Sequence, residues 1–143
     1  MRGPLLTLAL LLASCAARTP EGWTRYDLAD GAYSLAVPPE AEREAVQGID
    51  SQVDQFTLPG LRLDLDYGAH GGAPPEGGET ERVGGRTVVV AREPGGVGAW
   101  FEVEPVDHGD GTVSPSPALT VHAVCETEAA CETARRIVRT VRF

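Results

Sequence analysis

Leu61-Arg62-Leu63-Asp64-Leu65-Asp66-Tyr67 is the stretch on which the fold turns. Leu61, Leu63, Leu65 and Tyr67 alternate with Arg62, Asp64 and Asp66, and a period of two puts every apolar side chain on one face of an extended chain. A helix would scatter the same residues around its circumference. The run therefore reads as a half-buried β-strand with one charged face, the kind found in an antiparallel sheet packed on one side. Just before it, Pro59-Gly60 is turn chemistry, and Ile49 to Leu58 alternates as Ile49, Ser51, Val53, Gln55 and Thr57. The two runs predict an antiparallel hairpin.

Toward the C-terminus, Ala69 to Gly78 is rich in Gly and Pro and reads as a loop. Glu81-Arg82-Val83 and Thr87 to Ala91 flank Gly84-Gly85, a dipeptide that tolerates the positive φ of a tight hairpin turn. Val97 to Val103 is a further strand with Trp100 as its bulkiest residue, Asp107 to Gly111 a turn, and Ser114 to Pro117 a loop. Leu119, Val121 and Ala123 then alternate with Thr120, His122 and Val124 in a last long strand. Thr127 is a good N-cap, and behind it Ala130, Ala134, Ile137, Val138 and Val141 form the apolar stripe of an amphipathic helix. Arg135, Arg136, Arg139 and Arg142 take the other face and the C-terminal end, where cations suit the helix dipole.

Toward the N-terminus, Glu40 to Gln47 reads as one or two helical turns after the stop at Pro38-Pro39. Tyr33, Leu35 and Val37 share one face of a strand from Ala32 to Val37, and Trp23 to Leu28 is its partner across Ala29-Asp30-Gly31. Asp-Gly between two such runs is a hairpin signal. The elements add up to an α+β fold: an antiparallel, twisted sheet of about seven strands with a C-terminal amphipathic helix packed on it. One globular domain is expected over residues 23–143.

The first residues belong to no domain. Met1-Arg2 gives a short positive start, Leu5 to Leu12 is apolar apart from Thr7, and Ala13, Ser14 and Cys15 are small. Charge, apolar run and small residues in that order make a secretory signal, and the run is far short of the ~20 residues of a spanning helix. Leu12-Ala13-Ser14-Cys15 resembles the lipobox of bacterial lipoproteins. That resemblance implies removal of residues 1–14 as a signal peptide, a diacylglycerol thioether on Cys15, and a lipidated tether over residues 15–22. Two acyl chains suffice for stable anchoring. Ala16 follows the cysteine where the inner-membrane retention signal of such lipoproteins is typically Asp. The implied address is the cell envelope, at the periplasmic face of the outer membrane. The competing reading is an ordinary signal cut after Ala17 and a freely secreted product.

The three cysteines are Cys15, Cys125 and Cys131, an odd number for an exported chain. With Cys15 lipidated, Cys125 and Cys131 are left as a pair six residues apart, and a disulfide between them is expected in a compartment where such bonds persist. It would fasten the last strand to the helix. The Cys-x-x-Cys spacing of disulfide exchangers is absent, and His122 with Cys125 offers too few ligands for tetrahedral zinc.

Removing the first 14 of 143 residues leaves 129, enough for one domain with one core. The net charge of −9 becomes about −10 once Arg2 is lost, which opposes binding to nucleic acid or anionic lipid. Every basic side chain is Arg, so lysine Schiff-base chemistry is closed.

A second resemblance joins the two ends of the mature chain. Trp23, Tyr26 and Tyr33-Ser34-Leu35-Ala36-Val37-Pro38, with Ile137-Val138-Arg139-Thr140-Val141, are similar to the opening and closing segments of the PsbP-like fold. Members of that family are mostly accessory or scaffold subunits at membranes, which implies the same kind of role here.

Candidate sites are few. Asp64 and Asp66 point the same way from one strand, ~7 Å apart, and with Asp50 and Asp54 on a neighbouring strand they are the candidate cation-binding surface; a solvated strand face is the competing reading. Asp107 to Gly111 lacks the 1, 3, 5 and 12 spacing of a calcium loop. A triad built on Ser51 and His122 would lack the Gly-x-Ser-x-Gly elbow of a hydrolase, and His70 and His108 fall in loops. Gly84-Gly85 and Gly95-Gly96 are not phosphate cradles. The sequence thus implies no catalytic set, no metal centre and no cofactor. It points to a non-enzymatic envelope lipoprotein that binds a partner, with a small-ligand or divalent-cation module as the alternative and an envelope hydrolase behind both.

Overall fold

The computed structural model describes residues 18–69, 73–103, 109–111 and 117–143. The signal segment, Cys15, His70, Asp107, His108 and Ser114 lie outside the described residues.

The alternating run from Leu61 is the middle of the molecule. In β5 (Leu61–Gly68), Leu61, Leu63 and Leu65 are buried while Arg62, Asp64 and Asp66 look the other way. β4 (Gln52–Leu58) pairs with it from Leu58↔Leu61 to Gln52↔Tyr67. Gly60 in the connecting turn has φ 69°, as the second central position of a type II turn requires when Pro stands first. β4 begins three residues later than the alternation suggests: Ile49 precedes it and is 99% exposed. The inward set of β4 is Asp54, Phe56 and Leu58.

On the other side of β5 lies β9 (Ala118–Cys125), followed outward by β8 (Gly96–Glu102), β7 (Arg86–Glu93) and β6 (Glu79–Val83). β3 (Glu42–Ala45) closes the opposite edge, giving one seven-stranded antiparallel sheet in the order β3-β4-β5-β9-β8-β7-β6. The expected helical turns at Glu40 to Gln47 are therefore a correction: the segment contains the edge strand β3. It pairs with β4 from Glu42↔Thr57 to Ala45↔Asp54, and ladder formation there outweighs the weak helix preference of so short a segment. Both edges carry charge, Glu42, Arg43 and Glu44 on one and Glu79, Glu81 and Arg82 on the other, which discourages pairing with a further strand.

The opening hairpin forms as expected but stands outside that sheet. β1 (Thr24–Leu28) and β2 (Tyr33–Val37) make a separate two-stranded sheet. Their turn spans residues 29–32, with Ala29 and Asp30 in the left-handed region at φ 51° and 54°. The free edge of β2 meets the chain end: the backbones of Ser34 and Arg142 exchange hydrogen bonds of 2.8 and 2.9 Å.

α1 (Glu128–Val138) starts where its cap places it, with the Ala130 N–H donating to Thr127 Oγ1 at 3.1 Å. It stops at Val138, before the end of the apolar stripe. There the Thr140 hydroxyl accepts from the Ala36 N–H at 2.8 Å and donates to the Ile137 carbonyl at 2.6 Å. A side chain bonding locally to backbone competes with helix continuation. Val141 is then buried from extended chain rather than from the helix.

Both the hairpin and α1 cover the same face of the large sheet. The Tyr26 ring lies 5.2 Å from Phe56 and Tyr33 5.5 Å from Tyr67, so the hairpin sits over β4 and β5. The helix packs Cys131, Ala134, Ile137 and Val138 against β9, β8, β5 and β2. Cys125 and Cys131 are disulfide-bonded, Cα to Cα 5.3 Å, joining the end of β9 to the start of α1. The molecule is mainly β, with one sheet face covered by the hairpin and α1 and the other open among the described residues. Among the described residues no helix is long and apolar enough to cross a membrane.

Candidate functional site

The open face is set by register. Pairing places Gln55, Asp64, His122 and Gly98 in one row across β4, β5, β9 and β8, with Val53, Asp66, Thr120 and Trp100 in the next. β9 is the central strand, yet His122 and Val124 on it are exposed, Val124 to 43%. Neither helix nor loop among the described residues shields them.

The row through His122 holds an arrangement that sequence spacing hides. The imidazole Nδ1 of His122 stands 2.9 Å from Glu93 Oε2, although β8 runs between the two strands. Glu93 reaches across because Gly98 has no side chain: a Cβ there would lie 2.6 Å from Glu93 Oε1. Asp64 is directly opposite His122 on the other side, within the ~5 Å Cβ separation of cross-strand neighbours. The sequence signal was available in Gly96 and Gly98, two glycines at alternate positions of an otherwise apolar strand, which mark a face over which something else passes.

The predicted site residues are only partly brought together. Asp64 and Asp66 do share the open face, with Arg62 Nε donating to Asp64 Oδ2 at 3.1 Å and Asp66 Oδ1 buried without a hydrogen-bond partner. Asp54 is a correction: it belongs to the covered face, opposite Leu65. It is 6% exposed, and its Oδ1 accepts from Arg43 Nε at 3.0 Å and Nη2 at 2.6 Å. Asp50 sits in the bend before β4. The four carboxylates therefore form no common surface, and among the described residues no three His, Cys, Asp or Glu side chains converge on a point where a metal could sit. Ser51 packs against Gly68, four residues along β5 from the position opposite His122, a separation of about 14 Å at ~3.4 Å per residue. No serine–histidine pair is assembled there.

Two clefts lie away from the open face. One, of about 480 Å³, runs between the Ala29–Gly31 turn and the segment around β3 and β4, and is lined by Asp27, Asp30, Arg43, Gln47 and Ser51 among others. The second, of about 430 Å³, lies between α1 and the β6–β7 edge. Its cations are engaged: Arg92 pairs with Glu128, Arg135 with Glu132 at 3.2 Å, and Arg139 with Glu81 at 3.1 Å. Its hydrogen bond with Arg92 holds the Glu128 carboxyl below the usual carboxylate range.

No family model matches the chain, and no curated protein or solved structure is significantly similar to it.

Proposed function

We propose that this chain is a non-enzymatic, lipid-anchored protein of the cell envelope whose domain serves as an accessory, partner-binding module at the membrane surface. The observation that carries the reading is the Cys125–Cys131 bond. It uses two of three cysteines and leaves Cys15, within Leu12-Ala13-Ser14-Cys15, as the single thiol left for lipid. The Ala16 that follows favours the outer membrane. The likeness of the chain's two ends to the PsbP-like fold supports an accessory role in the same direction. A purely electrostatic attachment is disfavoured by the net charge of −9.

The test is the intact mass of the full chain extracted from membranes in detergent, beside a Cys15→Ala variant. The expected mass is that of residues 15–143 plus acyl chains and minus two hydrogens, with the variant unprocessed and lipid-free. A lipid-free chain beginning near Arg18 overturns the anchor and makes the domain a secreted one.

A small-ligand module is the second reading, favoured by the polar cleft beside Asp30 and Arg43, whose volume falls in the ~300–1,000 Å³ range of ligand pockets. A ligand at a hundredfold excess over its Kd would raise stability by about 2.7 kcal/mol, so a thermal-shift screen of amines, sugars and divalent cations reads it directly.

A further inference from the structure

We propose that the open face of the seven-stranded sheet is a docking surface for a basic protein surface. This names the partner's chemistry within the accessory role proposed above and rests on that reading. An antiparallel sheet can leave one face to water, and then its outward positions are polar. Here the outward positions of β8 run Gly96, Gly98, Trp100, and the central strand presents Val124. Gly96 and Gly98 are buried, the Glu93 side chain lying over Gly98, and Val124 is 43% exposed among the charged side chains of the same face.

Charge decides the occupant. Within the seven paired strands the open face carries six carboxylates, those of Glu42, Glu44, Asp64, Asp66, Glu93 and Glu102. Against them stand the guanidinium groups of Arg62, paired with Asp64, and Arg82, with the His122 imidazole beside Glu93. A second copy laid face to face would set carboxylates against carboxylates, and an anionic membrane or nucleic acid is repelled in the same way. A surface bearing Arg and Lys is complementary, and charge complementarity of this kind speeds encounter and suppresses wrong partners.

Size and orientation agree. Seven strands ~4.8 Å apart, with seven or eight residues at ~3.4 Å in the longer ones, give a face of about 29 by 24 Å, close to the ~800 Å² each partner gives to a stable interface. The chain enters the domain on the opposite layer, where Arg25 Nε donates to Thr19 Oγ1 at 3.0 Å ahead of β1. A tether on that side turns the open face away from the membrane.

The test places a photo-crosslinking amino acid at Thr57, Gln55 or Val124 on the open face, and at Glu132 or Arg136 on the helix, in the full chain in its own cells. Expected are adducts to one protein from the open-face positions alone, the crosslinked peptide carrying net positive charge. Asp64→Arg with Glu102→Arg should cut adduct yield at least tenfold while leaving the melting temperature unchanged. Overturning results are adducts from the helix positions, adducts to lipid or a second copy of this chain, an acidic partner peptide, insensitivity to the charge reversal, or no adduct at all. The anchor is read separately by the intact mass, so failure of one proposal leaves the other legible.

Discussion

Tyr33 buries its phenol to 2% exposure against Tyr67 and Phe143, and its hydroxyl has no hydrogen-bond partner. Burial first, then the nearby Asp54 carboxylate, push its pKa far above the usual value of 10. The unfolded phenol ionises near pH 10 while the folded one does not. This group therefore gives stability no pH dependence below about pH 10, and stability falls as pH rises beyond it. Tyr33→Phe removes an unsatisfied buried hydroxyl and should stabilise the protein by about 1 kcal/mol at pH 7. The difference should widen at pH 11, and urea melts at the two pH values check it. The glycines of β8 make a second residue-scale contrast. A Cβ at Gly96 collides with the Ala123 carbonyl, which is fixed backbone, whereas one at Gly98 meets the end of a flexible Glu93 side chain. Gly96→Ala should cost about 2–3 kcal/mol as an overpacked site. Gly98→Ala should cost less than about 1 kcal/mol, the carboxylate swinging away, yet it should release His122 from Glu93. Denaturant midpoints read the first effect and the His122 side-chain resonances the second.

At the scale of elements, the disulfide acts on a short loop. Joining Cys125 to Cys131 constrains the unfolded chain between β9 and α1, worth roughly 2 kcal/mol by loop-closure entropy. The Cys125→Ala, Cys131→Ala double variant should lose about that much in chemical denaturation while keeping its far-UV spectrum, because Ile137, Val138 and Ala134 still hold the helix down. A loss of helical signal instead would show that the staple defines α1. The elements that sequence makes legible are those with local signatures. The alternation of β5, the alternation of β9, the Thr127 cap and the cysteine spacing all depend on neighbours within a few residues. β3 was misread because its four residues carry no period and gain their conformation only from pairing with β4. The hairpin's place outside the sheet was hidden for a similar reason: the edge of β2 is satisfied by Arg142, more than a hundred residues away. The Glu93–His122 contact needs the registers of three strands at once, so spacing along the chain offers no direct trace of it. Asp54 went to the wrong face because the alternation in Ile49 to Leu58 has apolar residues on both sides, and only the position of Phe56 decides which is inward.

At the scale of the molecule, the sheet depends on a strand that comes late in the chain. β9 lies between β5 and β8, and with α1 it supplies the centre of the core. A chain ending at residue 117 keeps the other eight strands, six of them from the large sheet, but loses α1 and the seam that joins the two halves. It should show no cooperative thermal transition, and a calorimetric scan tests this; a sharp transition would mean that the halves fold without their seam. A net charge of −9 opposes non-specific attraction to nucleic acid and anionic lipid. The late arrival of β9 also governs timing. A chain passed through a membrane from its first residue presents β1 to β8 to the far side before the strand that unites them has crossed. Until then the half ending in β5 and the half ending in β8 each have an unpaired inner edge and no stable resting place. In a chain exported in that direction, the order of strands would postpone closure of the sheet until β9 has crossed.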